Sequence, residues 1–303
     1  MDFEKKADQL LKGAIDLHCH SGPGLFKRAL DHVEAARQAA AAGMAGVVLK
    51  DQHSLTAVLA TIINTHVLGE DSPLKVYGGL VLNNASGGIS AYTVEAAVKY
   101  GAKIIWLPTF SAQFHKDAHE SMAASKIKNT SPKANTKMLP EVLLKITDQF
   151  GNLLPQMTTI FKLIAKADII LGLGHVSRDE MDKAIAEAKR CGVQKFVLNH
   201  PEHLHNLTID EMKDYAAQGI MMEHSYTLTY SKKMTHEYLF EMIREVGAEY
   251  TILGSDMGQP GRPMPAEGFR EFVVKMLELG LKDEEIRLVI RDNPRRMLGF
   301  ANA

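Results

Sequence analysis

Cysteine is scarce in this chain. There are two in 303 residues, Cys19 and Cys191, far apart and in no CxxC spacing. That pattern excludes a disulfide framework and a zinc ribbon. Net charge is almost absent as well, at −1, so no electrostatic argument favours nucleic acid or an anionic membrane as a partner. No apolar run approaches the roughly 20 residues that span a bilayer. The opening MDFEKKADQLLKG has no apolar core of the signal-peptide kind, and a cytoplasmic protein is expected. No GxGxxG follows an apolar run, which leaves the dinucleotide-binding version of a doubly wound sheet with little support.

What is present is a repeat of short apolar run and amphipathic stretch. The candidate strands are 14–20, 46–52, 75–82, 102–109, 168–176, 195–200, 219–226 and 250–256. Helical patterns lie between most of them. DHVEAARQAAAAG ends on Gly43, a C-terminal capping glycine, while Ser177 and Thr208 each precede a glutamate by three positions, as at a capped helix start. Eight strands alternating with helices predict an α/β chain folded as a (β/α)8 barrel, a single domain over 1–303. Residues 111–155 are too long for an ordinary strand-to-helix loop. They are read as an insertion after the fourth strand, polar and mobile at first and closing in a hairpin around Asp148 to Asn152. Its place at the C-terminal end of the barrel suggests a lid or an oligomer contact.

The ends of these strands carry the chemistry. AIDLHCHSGPG sets His18 and His20 one residue apart, and strand alternation predicts Asp16, His18 and His20 on one face with Leu17 and Cys19 on the other. Cys19 then packs toward the helices. The second strand ends in Lys50 and then His53, the fifth in His175, the sixth in His200, the seventh in Glu223 and His224, and the eighth in Asp256. Barrel active sites are built at those ends. Nitrogen and carboxylate ligands of this kind suit a divalent metal, one ion or two, zinc first and manganese, iron or nickel as alternatives. Lys50 shares the inward alternation of the second strand, and a bare ammonium beside a dication is strongly disfavoured. His53, His203 and His224 are candidates for touching substrate. Arg28 and Arg262, on the loops after the first and eighth strands, could clamp a carboxylate. His115 and His119 have a spacing able to bind metal on a helix, but HKDAH lacks the HExxH glutamate and is read as poorly ordered.

HxH on the first strand, single histidines ending the fifth and sixth, and aspartate ending the eighth resemble the amidohydrolase superfamily of metal-dependent hydrolases. DNPRRMLGF is similar to the segment that follows the last barrel helix in many members. The resemblance covers nearly the whole chain and implies that His18, His20 and Asp256 hold one metal. It implies that His175 and His200 hold a second, or that one of them orients substrate. Many binuclear members bridge their metals with a carbamylated lysine or a glutamate on the fourth strand. Here AKIIWLPTF offers neither, so Lys50 is expected to be the carbamylated bridge. The implied reaction is attack by metal-activated hydroxide on an amide, cyclic amide or lactone carbonyl of a small molecule, with Asp256 as the proton carrier. Decarboxylation or deamination by the same superfamily is an alternative. HCHS followed by LKDQH also resembles the polymerase-and-histidinol-phosphatase family of phosphoesterases, in which His53 would be a ligand. That family's glutamate on the third strand and its final aspartate-x-histidine are missing here. A Schiff-base lyase using Lys50 would leave the histidines unexplained. Oligomeric state is open, a homo-oligomer being compatible with the insertion.

Overall fold

The computed structural model describes residues 2–69, 71–124, 139–140 and 142–300. Its centre is an eight-stranded parallel sheet in sequential order: β1 (Ile15–Cys19), β2 (Gly46–Leu49), β3 (Lys75–Val81), β4 (Ile104–Trp106), β5 (Ile170–Gly172), β6 (Phe196–Asn199), β7 (Ile220–Ser225) and β8 (Thr251–Gly254). Each strand falls inside one of the apolar runs predicted from sequence. β8 returns to β1 through a parallel bridge between Cys19 and Met257, so the sheet curls into a nearly closed (β/α)8 barrel.

The strands read as unbroken apolar runs because both faces are covered, one by the barrel interior and one by helices. Ile15, Leu17, Val48, Val81, Ile104, Trp106, Ile170, Val197, Met221 and Ile252 fill the interior. A larger apolar layer, including Cys19, lies between strands and helices. Trp106 needs glycine around it. A Cβ on Gly172 would stand 2.2 Å from its Cδ1, and one on Gly79 would stand 2.7 Å from its Cζ3. The helices start where the capping residues predicted, Ser177 with Glu180 and Thr208 with Glu211 making reciprocal caps. Gly43 takes φ +75° after the helix His32–Ala41.

One expectation about β1 is corrected. Pairing runs Ile15 to Gly46 and Asp16 to Val47, then shifts so that Cys19 meets Leu49. β1 therefore carries one extra residue, a bulge, and simple alternation breaks between Leu17 and His18. Ile15 and Leu17 join the barrel interior, and Asp16 does not share the histidine face. Its Oδ1 instead accepts the backbone N–H of His18 (2.9 Å) and of Ser255 (3.1 Å).

The insertion is ordered where it is described. Gln113–Ala124 is a helix, and Thr147 and Leu153 bridge antiparallel around Asp148 to Asn152, the hairpin read from sequence. Asp148 Oδ1 accepts from the N–H of Phe150 and of Asn152, which closes the turn. The polar run at 125–138, expected to be mobile, lies outside the described residues.

Candidate metal centre and active site

The seam between β1 and β8 assembles the centre. Asp256 N–H donates to the His18 carbonyl (2.8 Å) and His20 N–H to the Met257 carbonyl (2.9 Å). Asp256 sits at φ +48°, a conformation that L residues rarely adopt. The result is His20 Nε2 3.0 Å and His18 Nε2 3.4 Å from Asp256 Oδ1. Ligand atoms of the three residues all lie within 4.8 Å of one another.

The outward nitrogens decide what the inward ones can do. His20 Nδ1 lies 2.7 Å from the Lys50 carbonyl, which can only accept, so Nδ1 carries the hydrogen and Nε2 presents a lone pair. His18 Nδ1 lies 2.5 Å from Glu223 Oε1. Burial disfavours ionised Glu223, but the adjacent His18 and Lys50 outweigh it and lower its pKa. Its carboxylate thus takes the His18 Nδ1 hydrogen and bares Nε2. Asn199 Nδ2 donates to the other carboxylate oxygen at 2.8 Å. Burial, helped by the Arg28 guanidinium, pushes His20 down to about 4. Asp256 is held well below the usual carboxylate range; desolvation opposes this, but His18 and His20 prevail. Two imidazole Nε2 atoms and one carboxylate therefore face one spot, the donor set of a divalent ion with each ring oriented from behind. These residues fit a metal.

Lys50 reaches the same spot. It is buried, with Nζ 3.1 Å from His18 Nε2 and 4.9 Å from the centroid of the Trp106 ring. Burial lowers it to about 8. Beyond it lies a second pair, His175 and His200, with Nε2 atoms 3.3 Å apart. Desolvation is the main reason both are held well below the usual histidine range. His200 has φ +35° and, among the described residues, an Nδ1 without a hydrogen-bond partner.

The cavity over this centre is lined by His18, His20, Lys50, His175, His200 and Asp256, and by Arg28 and His203 among the residues predicted to touch substrate. Two predicted contacts lie elsewhere. His224 is fully buried away from the lining, its Nδ1 3.1 Å from Glu202 Oε2. It follows Glu223 on β7, and alternation that turns Glu223 inward turns His224 outward. His53 packs edge-on against Phe26, with Nδ1 3.7 Å from Asp51 Oδ1.

Four residues of the site carry no role in the sequence-based expectations. Glu223 was visible as an acid inside an apolar strand, MMEH, a signal that deserved more weight. His115, dismissed with its segment, is brought back by the insertion helix to stack on His175, with ring planes 9° apart and Nδ1 atoms 2.8 Å apart. His119, one turn further, also lines the cavity, as does Lys233, which no motif marked.

A profile described as a family of unknown function (DUF6282) matches residues 13–223. No curated protein matches the sequence. Among solved structures, an amidohydrolase from Pseudomonas aeruginosa superposes with a TM-score of 0.63 at 14% identity, covering 97% of this chain and 98% of that one. The lactonase Lmo2620 from Listeria monocytogenes gives 0.59 at 12% identity, with 96% of each chain covered. A 2,6-dihydroxybenzoate decarboxylase gives 0.53 at 14%, covering 95% of this chain and 99% of that one. The barrel is the fold these enzymes share.

Proposed function

The chain belongs to DUF6282, a family of unknown function, so its activity has to be read from its own site, and we propose that it is a metal-dependent hydrolase of a small-molecule amide, cyclic amide or lactone. One observation carries this reading. His18, His20 and Asp256 converge three acceptor atoms within 4.8 Å, and both rings are held by acceptors on their far nitrogens. The fold shared with an amidohydrolase and a lactonase supports it.

A divalent ion bound there would lower the pKa of a water to roughly 7 and polarise a carbonyl oxygen. His18 and His20 would hold it through Nε2, and Asp256 through its carboxylate. Asp256, kept ionised by its neighbours, accepts the proton of the attacking water and passes it to the leaving nitrogen or oxygen. Glu223 keeps His18 in the ligating tautomer. Lys50 is assigned as a carbamate: the ammonium first gives up a proton, the neutral amine nitrogen then bonds to the carbon of CO2 and releases a second, so that a buried cation becomes an anion. With Nζ 3.1 Å from His18 Nε2, the carbamate would supply oxygen ligands, and His175 and His200 would hold a second ion. His203 and Arg28 line the space left for substrate.

Elemental analysis of the purified protein tests the reading together with a panel of amides and lactones. Bound zinc, manganese, iron or nickel and chelator-sensitive turnover are expected, with both lost in His18→Ala and Asp256→Asn. A metal-free protein with undiminished turnover would overturn it. Intact mass gains one CO2 if Lys50 is carbamylated, and Lys50→Ala drops two ions to one or none. Release of CO2 from substrate, without water addition, would instead assign decarboxylation. The phosphoesterase alternative loses its distinctive ligand, because His53 does not line the cavity.

A further inference from the structure

The walls of the cavity are far more cationic than its reaction requires. Leaving Lys50 aside, it is lined by Arg28, Lys233 and Arg262, against a single carboxylate, Asp256, among the described residues. Elsewhere in the molecule cations find acids: Arg178 pairs with Glu211, Arg190 with Glu187, Arg244 with Glu285, and Arg270 with Glu4 and Asp8. Among the described residues, none of the three side chains on the cavity wall makes an ion pair of this kind. Their partners are neutral. Arg262 Nη1 donates to the Thr227 hydroxyl and Lys233 Nζ lies 3.2 Å from His203 Nε2, while Arg28 Nη2, 3.3 Å from His20 Nδ1, faces a nitrogen already committed as donor to the Lys50 carbonyl. Among the described residues, the Nε of Arg28 and the Oε1 of Gln259, another lining residue, are buried with no hydrogen-bond partner.

Arg262 and Lys233 line the same cavity; burial lowers the Lys233 pKa, Asp256 opposes this, and the Arg262 guanidinium adds to it. They follow β8 and β7 in the chain. Two cations on one cavity lining, neither within ion-pair distance of a carboxylate among the described residues, make a seat for an anion. We propose that the substrate carries, apart from its reacting carbonyl, an oxyanion (carboxylate or phosphate) seated between Arg262 and Lys233. The proposal rests on the hydrolase reading for the word substrate, while the anion seat stands on the charges alone.

Calorimetry with two small probes of equal shape tests it. N-acetylglycine and its neutral amide are titrated into the metal-containing protein, with inorganic phosphate as a third probe. The anion should bind at least about ten-fold tighter than the neutral amide, the scale of one charge-assisted contact pair. In Arg262→Gln/Lys233→Gln that preference should collapse to parity, with the neutral probe bound as before and the metal content unchanged. Phosphate binding tighter than N-acetylglycine would assign the anion as a phosphate, and the reverse as a carboxylate. Equal binding of charged and neutral probes to the wild type would overturn the proposal. So would a preference that survives the double substitution, or no binding of any of the three at millimolar concentration. A protein without metal or turnover that still prefers the anion would defeat the hydrolase reading and leave the seat intact.

Discussion

Glu223 shows at the level of one residue how this site depends on atoms that never face the reaction. It is fully buried on β7, and one of its oxygens is 2.5 Å from His18 Nδ1 while the other accepts from Asn199. Glu223→Gln replaces an acceptor by an amide that can present either a donor or an acceptor to the ring. The ligating tautomer of His18 is then no longer enforced, and partners of this kind are worth about 10–100-fold in metal affinity. We expect Glu223→Gln to weaken metal binding by that factor while far-ultraviolet circular dichroism stays unchanged; a competition titration with a chromophoric chelator measures it. Gly172 presents the opposite problem, one of space. A methyl group there would meet the Trp106 ring at 2.2 Å, and overpacking of this kind costs about 1–3 kcal/mol. Gly172→Ala should lower the denaturant midpoint accordingly, and because Trp106 lies beneath Lys50, the displaced ring should also change tryptophan fluorescence.

The elements divide into those that a sequence displays and those that need a partner strand to exist. All eight strands were legible because a strand buried on both faces writes a continuous apolar run. The capped helices were legible because Ser177 and Thr208 act within three residues of themselves. The bulge in β1 was not, since it is a property of pairing between β1 and β2 and leaves no mark in AIDLHCH. It nevertheless decides that both Leu17 and His18 face the barrel interior. Asp16 holds it by accepting two backbone N–H groups, of His18 and Ser255. Asp16→Ala leaves both buried donors unpaired, at about 1–3 kcal/mol each, and frees the strand to slip toward regular alternation. We predict a loss of stability together with loss of metal, and a smaller loss of both for Asp16→Asn, which keeps an acceptor oxygen. Equal metal content in wild type and Asp16→Ala would show that the bulge does not aim His18. The insertion helix was illegible for a similar reason: composition describes 113–124 as a polar excursion, and only its fold back over the barrel mouth brings His115 onto His175.

For the molecule as a whole, the weakest point of the barrel coincides with its site. Neighbouring strands from β1 through β8 are joined by ladders. The return from β8 to β1 rests on the Cys19 and Met257 bridge and on the amides of His20 and Asp256. The three proposed ligands sit astride this seam, His18 on β1, His20 just after it and Asp256 just after β8, so an ion held by them would also fasten the barrel shut. Binding to the folded state alone adds roughly 2.7 kcal/mol when free metal exceeds its Kd about a hundredfold. Chelation should therefore lower Tm in the wild type and leave His18→Ala/His20→Ala unmoved. The seam makes a sharper prediction than Tm alone. On chelation, hydrogen exchange should accelerate at the amides of His20 and Asp256 more than at those of Leu80 and Ile105, which lie in the paired β3 and β4. Uniform acceleration across the barrel would mean that the ion stabilises the fold globally; no change at the seam would mean that His18, His20 and Asp256 do not hold it.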